Sequence, residues 1–164
     1  MLASLLIAWI PALTLLLAVA IQESFIPLAA WSVLRPDMLL ISLSYWRLYR
    51  PDLCTIPLVF AIGLLVDLLS GTQLGLNAFS KLILLLLIGR FGRRLRSMSF
   101  LHVLFGILLL SLLDATLQWM VMSVIKGYEA HWPMLLGRPV ATVLIAPLWA
   151  SLLIYIHHGW LENV

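Results

Sequence analysis

Apolar residues in this chain run in long unbroken blocks, separated by short clusters of Pro, Gly, Asn, Arg and Lys. Such blocks predict helices, and a helix that crosses a bilayer needs about 20 mostly apolar residues. Six segments fit this pattern to different degrees: residues 4–21, 37–49, 53–69, 77–91, 100–125 and 135–156. The strict alternation of a membrane β-barrel is absent from these blocks. The pattern predicts an all-α, polytopic membrane bundle of about six transmembrane helices, folded as a single domain over residues 1–164.

The breaks refine these bounds. The first 21 residues resemble the apolar core of a signal peptide, with Ala18-Val19-Ala20 resembling a cleavage site. No Lys or Arg precedes the run and Pro11 interrupts it, so the segment is expected to stay as a membrane helix. Residues 22–35 mix turn formers with Phe25, Ile26, Trp31 and Leu34, as an interfacial connector would. Pro36 suits the first turn of the second helix, where its missing N–H costs nothing. That helix is short, and Trp46, Arg47, Tyr49 and Arg50 form an interface belt at its far end. It is either a short buried span or a re-entrant segment. Pro51-Asp52 opens the third helix, residues 70–76 form a tight connection, and Asn77 is expected to cap the fourth. A polar loop over residues 126–133 precedes the last helix, bent at Pro147.

Composition agrees with the pattern. Hydrophobic residues make up 63% and charged residues 10% of the 164, with a mean hydropathy of +1.10. Soluble domains carry roughly 25% charged residues, so this chain must be solvated by lipid. The net charge is +3, and Arg90, Arg93, Arg94 and Arg96 lie close together. This basic loop reads as a cytoplasmic anchor that also meets anionic lipid headgroups. One short loop is too small a surface for nucleic acid. With six crossings and both termini cytoplasmic, Arg47 and Arg50 join that cluster inside, while Arg35, Lys126 and Arg138 lie outside. Cys54 is the one cysteine, so neither an intrachain disulfide nor a Cys/His metal cluster is expected. His157-His158 reads as a solvated pair beside the membrane, and Trp9, Trp31, Trp46, Trp119, Trp132, Trp149 and Trp160 as interfacial or lipid-facing anchors.

The polar residues inside the blocks carry the chemistry. A carboxylate in lipid costs several kcal/mol unless paired, hydrated or protonated. Asp67 sits about one turn before the end of its helix, with Gly63 and Gly71 on the same face. That small-residue face allows close helix packing. Lys81 reaches a similar depth on the next helix. Two readings stand: an Asp67–Lys81 contact across the hairpin, or a polar surface for a partner helix or ligand. Asp114 falls near the middle of the fifth helix, and Ser111 and Gln118 share its face. Arg138 starts too near the outer surface to be its obvious partner, and a neutral, hydrogen-bonded Asp114 is one option. Asp37 suits the first turn of its helix, where a negative charge complements the dipole. No nucleophile elbow, HExxH or Walker loop occurs, so no catalytic residue, metal or cofactor is expected.

Two segments resemble the bacterial rod shape-determining protein MreD family. One is Arg35-Pro36-Asp37-Met38-Leu39-Leu40, similar to the family's proline–aspartate opening of the second apolar segment. The other runs from Gly63 through Asp67, Ser70, Gly71, Leu74 and Gly75 to Ala78, similar to its Gly-Leu-x-x-Asp-Leu-x-Ser-Gly-x-x-Leu-Gly signature. The resemblance makes Pro36, Asp37, Gly63, Asp67, Ser70, Gly71, Leu74 and Gly75 the signature positions. It implies a non-enzymatic scaffold of the elongasome in the bacterial inner membrane. The implied partners are MreC, the MreB filament, RodA and its transpeptidase. The bundle is also similar in size and helix number to substrate-capture components of energy-coupling-factor transporters, a likeness of architecture alone. A transporter reading predicts a polar cavity open outward and lined by Asp37, Asp67, Asn77 and Arg138. A scaffold predicts a closed interior. A membrane enzyme, the third reading, requires Asp67 and Asp114 to share a substrate.

Overall fold

The computed structural model describes residues 2–24, 35–96, 99–127 and 132–161, and among them every regular element is helical. In chain order these are α1 (Leu2–Ser24), α2 (Met38–Tyr49), α3 (Ile56–Ser70), α4 (Leu76–Arg96), α5 (Phe100–Lys126) and α6 (Trp132–Leu161). The connector expected over residues 22–35 loses residues 22–24 to α1, and its residues 25–34, with Trp31, lie outside the described residues, as do residues 128–131 of the expected polar loop.

Local chemistry sets the bounds. α3 starts later than its apolar run because residues 51–54 form a turn; Thr55 is the N-cap and Pro57 falls in the first turn. Gly71 ends it in the left-handed conformation at φ 63°, its N–H bonded back to the Asp67 carbonyl. α4 continues past its apolar stretch to Arg96, since arginine is a good helix former where lipid no longer selects against charge. α1 carries Pro11, and α6 carries Pro139 and Pro147.

Among the described residues, two stretches are long and apolar enough to cross a bilayer by themselves, Leu101–Ile125 and Leu135–His157. The other four pack beside them. α3 lies along α4, α5 along α6, and α2 sits centrally against α1, α4 and α6. Although it has only 12 residues, α2 buries Met38 to Trp46 and Leu48. Buried on every side, it has no polar face to present to solvent.

The core joins Leu15, Val19, Leu40, Leu43, Val59, Ile62, Leu84 and Leu85 to Trp149 and Leu153. Two tryptophans expected as interface anchors belong to this core instead. Trp46 is fully buried and donates its indole N–H to the Thr14 hydroxyl at 2.7 Å. Trp149 donates to the Ser42 hydroxyl at 2.7 Å. A hydroxyl facing each indole N–H removes the reason for a tryptophan to seek the wet interface. His157, expected in solvent, stacks on Trp46 with ring centroids 5.6 Å apart.

Candidate functional site

Asp67 stands at the end of α3, and the turn that follows folds the start of α4 over its carboxylate. Oδ1 accepts from the Thr72 hydroxyl, the Asn77 N–H and the Asn77 amide, each at 2.9 Å. Oδ2 accepts from the Gly75 N–H at 2.9 Å and the Ala78 N–H at 3.4 Å. The first N–H groups of a helix lack partners within it and form the positive end of its dipole. Asp67 therefore caps α4 from the preceding helix, a role expected of Asn77. The glycines make this geometry. Gly75 adopts a φ of 93°, and a methyl group built on Gly63 would lie 2.8 Å from the Ala78 nitrogen. Only a residue without Cβ lets the two backbones come this close.

Lys81, one turn further along α4, is 1% exposed and turns away from the hairpin. Its ammonium donates to Asp37 Oδ2 at 2.5 Å and to Asp114 Oδ2 at 2.7 Å. The expected Asp67–Lys81 contact is thus replaced by two others. Asp67 is already saturated by neutral donors, whereas the two remaining buried carboxylates need a cation.

Asp37 divides its oxygens between two tasks. Oδ1 accepts from the Leu40 N–H at 2.9 Å and so caps α2, while Oδ2 takes Lys81 and, at 3.2 Å, Arg138. Its own N–H donates to the Thr142 hydroxyl at 2.9 Å, and Thr142 donates to the Arg138 carbonyl at 2.7 Å. Arg138, set aside on depth, reaches in through the length of its side chain, which remains 25% exposed. Its second amino group points at Gln118 Oε1 at 3.4 Å. Gln118 in turn donates to Asp114 Oδ2 at 2.9 Å and to Asn77 Oδ1 at 3.1 Å.

One chain of polar contacts thus runs Asp67–Asn77–Gln118–Asp114–Lys81–Asp37–Arg138 and joins α2, α3, α4, α5 and α6. α1 joins it where Gln22 Oε1 accepts from the Leu39 N–H at 3.4 Å. Buried Asp114 Oδ1 and Arg138 Nε take no hydrogen bond. Asp37, Asp114, Lys81 and Arg138 together balance two negative charges with two positive ones.

Of the remaining signature residues, Pro36 is buried before α2, Ser70 donates to Glu23 at 3.0 Å, and Leu74 is 69% exposed. Arg90 is exposed, at the far end of α4 from Lys81; the side chains of Arg93, Arg94 and Arg96 lie outside the described residues. Thr142, Gln22 and Glu23 were not singled out in the sequence, and Arg35 was read there only as an outer-side charge at the start of the proline–aspartate motif. The one local signal was Thr142 at i+4 from Arg138, on the same helical face.

Asp114 Oδ1 and Arg138 Nε apart, the polar groups of this network are turned on one another. The packing gap beside Lys81, lined by Leu15, Leu39, Leu43, Val59 and Ile62, is too small for a water molecule. Among the described residues no group of His, Cys, Asp and Glu is placed to hold a metal ion. A protein-family model, the rod shape-determining protein MreD, matches residues 3–156. No curated protein and no solved structure matches.

Proposed function

We propose, from the premise that the chain belongs to the MreD family of rod shape-determining proteins, that it is a non-enzymatic scaffold of the cell-wall elongation machinery. Membership gives it a part in rod shape determination at a membrane. The finer reading is a multi-pass inner-membrane protein with both termini cytoplasmic. It binds MreC directly, and RodA, its transpeptidase and the MreB filament through the same complex. The single observation that favours a scaffold is that the in-membrane polar groups bind one another. Asp37, Asp67, Asn77 and Arg138, the residues a substrate cavity would use, are committed to contacts across five helices. Asp67 and Asp114 are likewise held by their own donors and by the Asn77–Gln118 link, which fits a structural role better than a shared substrate. Docking then falls to the outward faces of the bundle, by lateral helix packing.

The test is affinity purification of the tagged chain from native membranes in mild detergent. MreC should be recovered with the wild type. A transporter ATPase in its place, or a bound small molecule with no protein partner, overturns the scaffold.

A further inference from the structure

The last turn of α2 holds a cation with most of its donors unused. Of the three guanidinium nitrogens of Arg47, only Nη1 is bonded; it donates to the Pro51 carbonyl at 3.3 Å and to the Cys54 carbonyl at 3.5 Å. Nε is buried without a hydrogen-bond partner. The side chain crosses to α4 and lies against Gly89, where a methyl group would come within 2.7 Å of Nη2 and 3.1 Å of Nε. Gly89 is therefore the seat of this guanidinium, and the carbonyls of the turn between α2 and α3 hold it there. With Nη1 bonded and Nε buried, Nη2 is the open end.

The charge at this seat has no counter-ion. Arg90 follows Gly89 on α4 and is exposed. Asp52 is the one acid between Asp37 and Asp67, and no other follows before Asp114. Arg50 takes both Asp52 oxygens, at 3.2 and 3.1 Å. Among the described residues, neither Arg47 nor Arg90 forms an ion pair. The seat lies about 12 Å along α4 from Lys81, level with a turn whose Pro51, Asp52 and Thr55 are exposed. Leu86, one turn nearer the network than Arg90, is 59% exposed. Two cations next to an exposed apolar helix face match a molecule that joins a phosphate to acyl chains.

We infer that Arg47 and Arg90 bind the phosphate of one anionic phospholipid, whose acyl chains run down α4 past Leu86. Guanidinium groups pair with phosphate by charge and by directed N–H donors at once. The site differs from the general attraction of a basic helix end, because Gly89 and two carbonyls fix one arginine in place before any lipid arrives. The inference rests on the apolar stretch of α4 ending in the headgroup layer, and it holds whichever protein docks on the bundle.

The test is native mass spectrometry of the full chain in detergent, titrated with dioleoylphosphatidylglycerol or dioleoylphosphatidylcholine. The first phosphatidylglycerol should bind at least about fivefold more tightly than phosphatidylcholine. Gly89→Ala displaces the Arg47 guanidinium without changing the net charge, and it should weaken that binding at least about fivefold, as should Arg90→Gln. Arg47→Gln also frees the turn at residues 51–54, so Gly89→Ala carries the weight. Arg96→Gln removes the same charge about 9 Å further along α4 and should stay within about twofold of the wild type. Wild-type binding in Gly89→Ala, or Arg96→Gln as damaging as Arg90→Gln, means diffuse attraction and overturns the site. Equal affinity for the two lipids overturns it as well. Competitors identify the source of the charge: displacement of the bound lipid by millimolar inorganic phosphate makes this an ion site, and displacement by hexaglutamate makes it a site for an acidic peptide. Either result overturns the lipid.

Discussion

At the scale of single residues, the central fact is that Lys81 is the cation shared by two buried carboxylates. Removing one partner of a buried ion pair leaves an uncompensated charge and costs about 3–5 kcal/mol, far more than an exposed pair. Lys81→Met should therefore lower the midpoint of thermal unfolding in detergent sharply. Adding Asp37→Asn and Asp114→Asn to the same chain should recover most of the loss. A triple variant no more stable than Lys81→Met would show that the charges are not what Lys81 compensates. Asp67→Ala should cost about 1–3 kcal/mol by orphaning the first N–H groups of α4, with Asp67→Asn milder, since one oxygen remains. The same unfolding curves check this, and equal losses for the two variants would contradict a capping role. Much of this site was legible. The rarity of charge marked Asp37, Asp67, Lys81, Asp114 and Arg138, and helical spacing put Gln118 beside Asp114. The pairing was not legible. Depth matching favoured Asp67 with Lys81 because backbone N–H groups, which every residue carries, leave no mark in a sequence. Asp37 lies 44 residues from Lys81 and 101 from Arg138, and no local pattern spans such distances.

At the scale of elements, the α3–α4 hairpin depends on the contact between Gly63 and Ala78. Gly63→Ala places a methyl group against backbone and should destabilise by about 1–3 kcal/mol. It should also lift the turn off the Asp67 carboxylate, so Gly63→Ala and Asp67→Ala combined should cost less than their sum. Additive losses in a double-mutant cycle would separate the packing from the cap. The loop between α2 and α3 makes a useful contrast. Arg50 beside Asp52 holds that carboxyl below its usual range through a hydrogen bond at 3.2 Å. A depressed carboxyl contributes stability above its unfolded pKa and loses it as pH falls. Both groups are solvent-exposed, however, and Asp52→Asn should leave the unfolding midpoint nearly unmoved at neutral pH. The helices themselves were visible as apolar blocks. Their ends shifted wherever capping or a proline turn, rather than hydropathy, decided the boundary, as at Thr55 and Ile56.

At the scale of the whole molecule, the shortest helix is the most enclosed. Burial of α2 between α1, α4 and α6 predicts that its amides exchange with deuterium more slowly than those of the longer α5, whose outer half is at most half-buried. Exchange mass spectrometry in detergent reads this directly; α2 peptides exchanging as fast as residues 115–125 would contradict a central α2. The polar network also bears on how such a chain is made. Asp37, Lys81, Asp114 and Arg138 alternate in sign along the sequence, and the capping of Asp67 is complete by Ala78. On a ribosome Lys81 follows Asp37 and Arg138 follows Asp114, so no nascent length holds more than one unbalanced member of the set. The growing protein can leave the insertion machinery in stages, the first pair of opposite charges closing before the second opens.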